Sequence, residues 1–244
     1  MTRPEDIATY VVNLPRRPDR RAWIQAQLPA NLPVRYTSDL GLTVDGHDLT
    51  LPALQAAGVK LFDWQIDSDN PWWNRPLKYG EIGCTLTHLA CWMHAAEHTT
   101  ASYVAILEDD AVLESCFLDR LLDGLSELEQ RSVPFDLLYL GRYPLEPDQP
   151  ASLPGFANPG YSHCSYGYLL TRPALSDLLA MGLTEAVIPV DEFLPAMYHP
   201  HPRPDVHARF PPHLTALAFD PPLVTQRPKS EAGSDTEASD FVEP

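Results

Sequence analysis

A chain of 244 residues, 44% of them hydrophobic, can fill the core of one large α/β domain or two small ones, which excludes global disorder. Lys and Arg number 17 against 33 Asp and Glu, a formal charge of −16, so the basic stripe that a nucleic-acid binder needs is missing. An anionic ligand would have to be held by a metal ion or by a few placed arginines.

The opening stretch, MTRPEDIATYVVNLPRR, has no apolar run long enough for a signal peptide or a membrane anchor. A cytoplasmic protein without a transmembrane segment is the expectation, with peripheral association as its one route to a membrane. Cys84, Cys91, Cys116 and Cys164 contain no CxxC pair and read as reduced thiols. ATYVVNL (8–14) predicts a first buried strand, and RRPDRRAWIQAQL a basic turn running into a helix from near Asp19. Residues 29–80, rich in Pro, Asp and Trp, read mostly as loops with short strands.

GEIGCTLTHLACWMHAAEH (80–98) is the strongest helix, with Ile82, Leu86, Leu89, Met93 and Ala96 recurring on one predicted apolar face. SYVAILEDD (102–110) predicts a central strand and FLDRLLDGLSELEQR (117–131) an amphipathic helix. FDLLYLG (135–141) and SYGYLLT (165–171) read as further strands. RPALSDLLAMG (172–182) is a helix with Pro at its start and Gly at its end. This alternation argues for α/β layers around a largely parallel sheet, whose ligands sit beyond the carboxyl ends of the strands. The Pro-rich stretch 199–222 reads as an extended covering segment, giving one domain over 1–225 and an acidic, flexible tail over 226–244.

The triplet Glu108, Asp109 and Asp110 falls at such a strand end. Side-chain alternation would send Glu108 and Asp110 one way and Asp109 the other. Two converging carboxyls can hold Mg²⁺ or Mn²⁺, and such an ion can bridge a diphosphate; a solvated turn capping the next helix is the alternative. Arg16, Arg17, Arg20 and Arg21 follow the first strand, where they either grip phosphate or form a solvated helix start. Asp191 and Glu192 lie between apolar IPV and Phe193, a setting that can raise a carboxyl enough for general-base work, although Asp191 also suits a helix cap.

Cys84 and His88 stand four apart on one helix, as zinc ligands can. No second pair has matching spacing, so core packing is the reading. Trp64, Trp72 and Trp73 suit either stacking on a sugar or base, or a structural lid. GxSxG, Walker and GxGxxG motifs are all missing from the sequence, which disfavours serine hydrolases, P-loop enzymes and dinucleotide enzymes.

Taken in order, VVNLPRRPDRR, VDG (44–46), GEIGCTLTHLACW, ILEDDA, FDLLYLGR, SYGYLLT and PVDEFLPAMY resemble glycosyltransferase family 25 over nearly the whole chain. That family includes lipooligosaccharide galactosyltransferases of lipopolysaccharide biosynthesis and the procollagen galactosyltransferases of collagen glycosylation. DEFLPAMYHPHPRPDVHARF and SDTEASDFV are similar to the procollagen end of it. The resemblance implies a GT-A fold, an α/β/α sandwich with a mostly parallel sheet. It also implies Mn²⁺ (or Mg²⁺) held by Glu108, Asp109 and Asp110, and a donor such as UDP-galactose or UDP-glucose. Asn13, Arg17, Arg20, Asp45, Gly46 and His88 become donor-site candidates. Inverting transfer to a glycan or hydroxylysine-type hydroxyl follows, with Asp191 the first choice of base and Glu192 the second. The rival readings are a non-catalytic carbohydrate- or protein-binding relative and a metal-dependent phosphohydrolase.

Overall fold

A computed structural model describes residues 2–243. The first third contains β1 (Ile7–Val12), α1 (Pro18–Gln25), β2 (Val34–Tyr36), and the short helices α2 (Thr37–Leu40) and α3 (Leu51–Ala56). Helix α4 (Tyr79–His98), β3 (Tyr103–Glu108), β4 (Ala111–Leu113) and α5 (Phe117–Gln130) follow. Next come β5 (Leu137–Pro144), β6 (Gln149–Pro150), β7 (Phe156–Asn158), β8 (Ser162–Thr171) and α6 (Arg172–Ala180). The chain finishes with α7 (Val190–Ala196), α8 (Pro204–Arg209), β9 (Ala216–Phe219), β10 (Val224–Gln226), α9 (Lys229–Ala232) and α10 (Asp235–Ala238).

Eight strands form one mixed sheet in the order β2-β1-β3-β8-β5-β9-β7-β6. β1 pairs parallel with β2 and β3, and β5 with β9, whereas β8 runs antiparallel to both of its neighbours. The expected α/β sandwich is present, and β8 is the main departure from parallel order. Between β5 and β8 lie only β6 and β7, and a chain that returns without a helical crossover pairs antiparallel. The stretch 199–222 also differs from expectation, because it supplies β9 to the interior of the sheet.

Both faces of the sheet are buried, as period-two alternation requires. On β3, Val104 and Ile106 join the core shared with α4, α6 and α7, whereas Tyr103, Ala105 and Leu107 join the core shared with α1 and α5. Helix α5 buries Leu118, Leu121, Leu125 and Leu128 at helical spacing, each stabilising the fold by about 1.5–3 kcal/mol. None of the helices among the described residues is long and apolar enough to cross a membrane.

Helix α4 buries a face rotated from the predicted one. Ile82, Thr85, His88, Leu89, Cys91, Trp92 and Ala95 point inward, and Met93 is 48% exposed. Apolarity alone misassigns the face because the inward stripe contains threonine and histidine, each with a partner. The Thr85 hydroxyl donates to Ile188 O (2.9 Å), and His88 Nδ1 meets the Tyr168 hydroxyl at 2.7 Å. The amino-terminal turns of α4 carry glycines for a different reason. A Cβ on Gly83 would lie 2.6 Å from Val44 O, and one on Gly46 2.6 Å from Gly80 Cα. These close approaches bring the loop bearing Asp45 against the helix. Gly83→Ala gains helix propensity but meets a backbone carbonyl, so it should destabilise by about 1–3 kcal/mol and lower Tm. A Tm at or above wild type would mean that the loop simply moves aside.

Candidate active site

The carboxyl ends of β1 and β3 lie side by side, with Val12 in register with Glu108, and a cavity of about 240 Å³ opens above them. Arg20, Asp45, Gly46, Glu108, Asp109 and Asp110 line one part of it, and Asp191 and Glu192 another. The segments singled out from sequence therefore meet. Asn13, Arg17 and His88 stand behind this lining and act on it through other side chains.

Asn13 Nδ2 donates to Asp109 Oδ2 at 2.7 Å, which fixes the acidic turn from the end of β1. The strand ends at Glu108, so the alternation expected for the three acids stops there. Glu108 continues the parity of Val104 and Ile106 toward α4. Asp109 and Asp110 lie in a turn and both face Arg20, with Arg20 Nε 2.7 Å from Asp109 Oδ1 and Nη2 2.6 Å from Asp110 Oδ2. Arg20 is itself only 8% exposed, although it sits near the start of what reads as a surface helix.

Three neighbouring arginines converge on one carboxylate of the tail. Arg16, Arg17 and Arg20 all pair with Asp235 of α10. Arg16 also holds Asp45 through Nε (2.6 Å), and Asp45 caps the turn Gly46–Asp48 by accepting from His47 N. The tail lines the cavity with Ser234, Asp235 and Thr236 and is fastened to the start of α4 and the residues before it. Gly80 N donates to Ser239 Oγ, Tyr79 N to Asp240 O, and Val242 N to Leu77 O. Sequence reasoning missed this segment because its polarity reads as a solvated end. The available signal was the capping pattern Ser-Asp-Thr-Glu, in which Ser234 accepts from Glu237 N. Gln226, which donates to Asp110 Oδ2 at 3.2 Å, and His163, which faces Glu192, were missed as well.

Asp191 and Glu192 share a helix start but not an environment. Asp191 lies in the first turn of α7 and does not cap it, since Pro189 occupies the cap position. Its Oδ1 accepts from Ser165 N at 2.9 Å. That N–H is free because β8 bulges here, with Cys164 at φ 54° and the β5–β8 register shifting nearby. Burial raises the Asp191 carboxyl above its usual range despite the Ser165 N–H. Glu192 is buried and its oxygens are occupied by Trp73 Nε1 (3.1 Å), the Tyr161 hydroxyl and His201 Nε2 (2.9 Å). Burial works against its charge, but His163 and His201 overcome this and hold Glu192 well below the ordinary carboxylate range. Of the two, Asp191 has the properties of a base, and Glu192 those of a fixed anchor.

The acidic turn is electrostatically loaded. Burial first, then Asp110 and Asp191, push Glu108 well above its usual range, against the opposing charge of Arg20. Burial also pushes Asp109 up to about 6, with Arg20 and Asn13 opposing, and raises Asp110. Asp110 Oδ1 is buried and has no hydrogen-bond partner among the described residues. Hard oxygen donors that repel one another, one of them unpartnered, fit a divalent cation of the Mg²⁺ or Mn²⁺ type. Arg20 is the group such an ion would have to displace. Of the tryptophans, Trp64 is buried and Trp72 is exposed at the rim, with the Arg75 guanidinium 5.0 Å from its ring centroid.

Comparison with known proteins shows which family the chain resembles. The profile of glycosyltransferase family 25 (LPS biosynthesis protein) matches residues 6–145. Inactive glycosyltransferase 25 family member 3 of Homo sapiens is 35% identical over 239 residues, covering 94% of this chain and 39% of the relative. Procollagen galactosyltransferase 1-A of Xenopus laevis is 35% identical over 220 residues, covering 88% of this chain and 35% of the relative. Procollagen galactosyltransferase 2 of Homo sapiens is 29% identical over 198 residues, covering 79% of this chain and 30% of the relative. The chain thus spans about two fifths or less of the length of these relatives. From the profile and these relatives, the chain belongs to glycosyltransferase family 25.

Proposed function

We propose that this domain transfers a hexose, galactose by analogy with the names of its relatives, from a UDP-sugar to a hydroxyl of a glycan or collagen-type acceptor. The observation that carries this reading is the meeting of three groups at one cavity: the acidic turn, the arginines after β1, and the raised carboxyl of Asp191.

A hard divalent ion held by Asp109 and Asp110, with Glu108 behind them, would neutralise charge on the departing diphosphate. The residues of the chain do the rest. Arg16, freed from Asp235, and Arg20, displaced from the acidic turn, grip phosphate oxygens, and Asn13 keeps Asp109 in place. Asp191 takes the proton of the acceptor hydroxyl as that oxygen attacks the anomeric carbon. The bond from that carbon to the UDP oxygen breaks on the opposite side, so configuration inverts. The walls of the cavity, tail residues among them, limit water, which would otherwise compete as acceptor.

A second reading has its own support. Arg20 closes on Asp109 and Asp110, and two of the relatives with the highest identity carry the word inactive in their names. On that reading the cavity binds a sugar nucleotide or glycan without turnover.

Calorimetric titration with UDP tests the donor site that both readings share, and a sugar-release assay on UDP-sugars then separates them. UDP should bind at least tenfold more tightly with Mn²⁺ than with excess chelator. No binding in either condition would remove the donor reading, and binding without sugar release would select the non-catalytic one. Asp191→Asn should keep UDP binding and lose about 10²–10⁴-fold in transfer. Turnover near wild type would place the base elsewhere. Because the Asp191 carboxyl is raised, it becomes protonated at a higher pH than an ordinary aspartate. Transfer should therefore fall away on the acid side above the usual value of about 3.9, and a limb at or below it would contradict the assignment.

A further inference from the structure

Two of the residues set aside for the core stand next to the acidic turn. Cys84 and His88 lie one helical turn apart on α4, and strand parity turns Glu108 toward that same helix. One ligand atom from each of Cys84, His88 and Glu108 lies within 4.8 Å of the others, and His88 Nε2 is 3.9 Å from Glu108 Oε1. His88 is fully buried, yet among the described residues its Nε2 has no hydrogen-bond partner. The other ring nitrogen is held by the Tyr168 hydroxyl (2.7 Å), which also accepts from Trp92 Nε1 (3.0 Å). The ring is thus fixed by its far side, with its free nitrogen aimed at Glu108.

We propose that Cys84, His88 and Glu108 form a binding site for a borderline divalent cation of the zinc class, on the α4 side of the acidic turn. The donor set decides the class. A thiolate, an imidazole and a carboxylate together suit zinc or cobalt, whereas Mg²⁺ and Mn²⁺ favour oxygen alone. Ligands around a tetrahedral zinc stand about 3.5 Å apart, so the cluster needs only a modest contraction to close on an ion. Ligation replaces the thiol proton of Cys84, which passes to solvent. The Tyr168 oxygen behind His88 supplies the outer partner that histidine ligands ordinarily have. With three protein ligands the fourth position faces the cavity, which Cys84 and Glu108 both line. This site does not depend on sugar transfer, and it differs from the Asp109–Asp110 pair in requiring sulfur.

Cobalt reports sulfur ligation directly. Titrating the purified chain with Co²⁺ should give a thiolate-to-cobalt charge-transfer band that saturates at one equivalent and is displaced by Zn²⁺. Cys84→Ser should abolish the band. A wild-type protein without the band, or a band that survives Cys84→Ser, overturns the proposal. A second measurement needs no variant. Zn²⁺ should slow alkylation of Cys84 at least tenfold, read by peptide mass, while exposed Cys116 reacts at the same rate. Equal labelling of Cys84 with and without Zn²⁺ also overturns it. Neither measurement involves UDP, so a failure here is distinct from a failure of the donor reading.

Discussion

The Arg20 guanidinium is the joint on which the site depends. It is nearly buried, and its nitrogens engage Asp109, Asp110 and Asp235, so one side chain of α1 ties the end of β3 to the tail. A buried arginine is tolerable only where several acceptors surround it, and buried aspartates only where a cation faces them. Each therefore stabilises the other. Removing the guanidinium would leave carboxylates uncompensated, which in buried pairs costs about 3–5 kcal/mol. The burial that raises Asp109 is opposed first by this one charge. Arg20 thus acts on both the position and the ionisation of the acidic turn, beside Asn13 and burial.

From that joint the geometry follows by parity. β3 buries alternate residues on its two faces, so its last member, Glu108, must face α4. The chain then leaves the strand, and freedom from the pleat lets Asp109 and Asp110 turn together toward α1. The bulge at Cys164 does comparable work on β8, because the N–H lost to the ladder becomes a donor for Asp191. Regular strands fix where the acids start, and two local departures from regularity aim them.

What the sequence made legible were the features with strong local cause. The helix over 80–98 and the strand before Glu108 were readable from period and apolar content, and so was the placement of acids and arginines at strand ends. The rotation of α4 was not, because Thr85 and His88 are buried through partners on α7 and β8 that no local pattern encodes. The antiparallel β8 followed from a connection that carries only the short strands β6 and β7 and no helix. Asn13 and Arg17 read as donor ligands, but the fold gives them other partners, Asp109 for the first and Asp235 with Ala232 O for the second. The tail was the largest omission. Its charges look solvated until the arginines that receive them are brought from the other end of the chain.

Those pairings also resolve how a chain of charge −16 can present a site for an anion. Arg16, Arg17 and Arg20 are each already satisfied, and Asp235 is a partner common to all three. On the proposed reading, a diphosphate would compete with a carboxylate that the fold holds in place, and an ion at the acidic turn would compete with Arg20. The two exchanges reinforce each other. An ion that takes over Asp109 and Asp110 frees Arg20, and a phosphate that takes over the arginines frees Asp235. Either ligand alone meets a site whose charges are matched internally; together they replace one matched set by another. On the proposed reading, uptake of cation and diphosphate would therefore be cooperative, because each exchange in the ion-pair network would release a partner for the other.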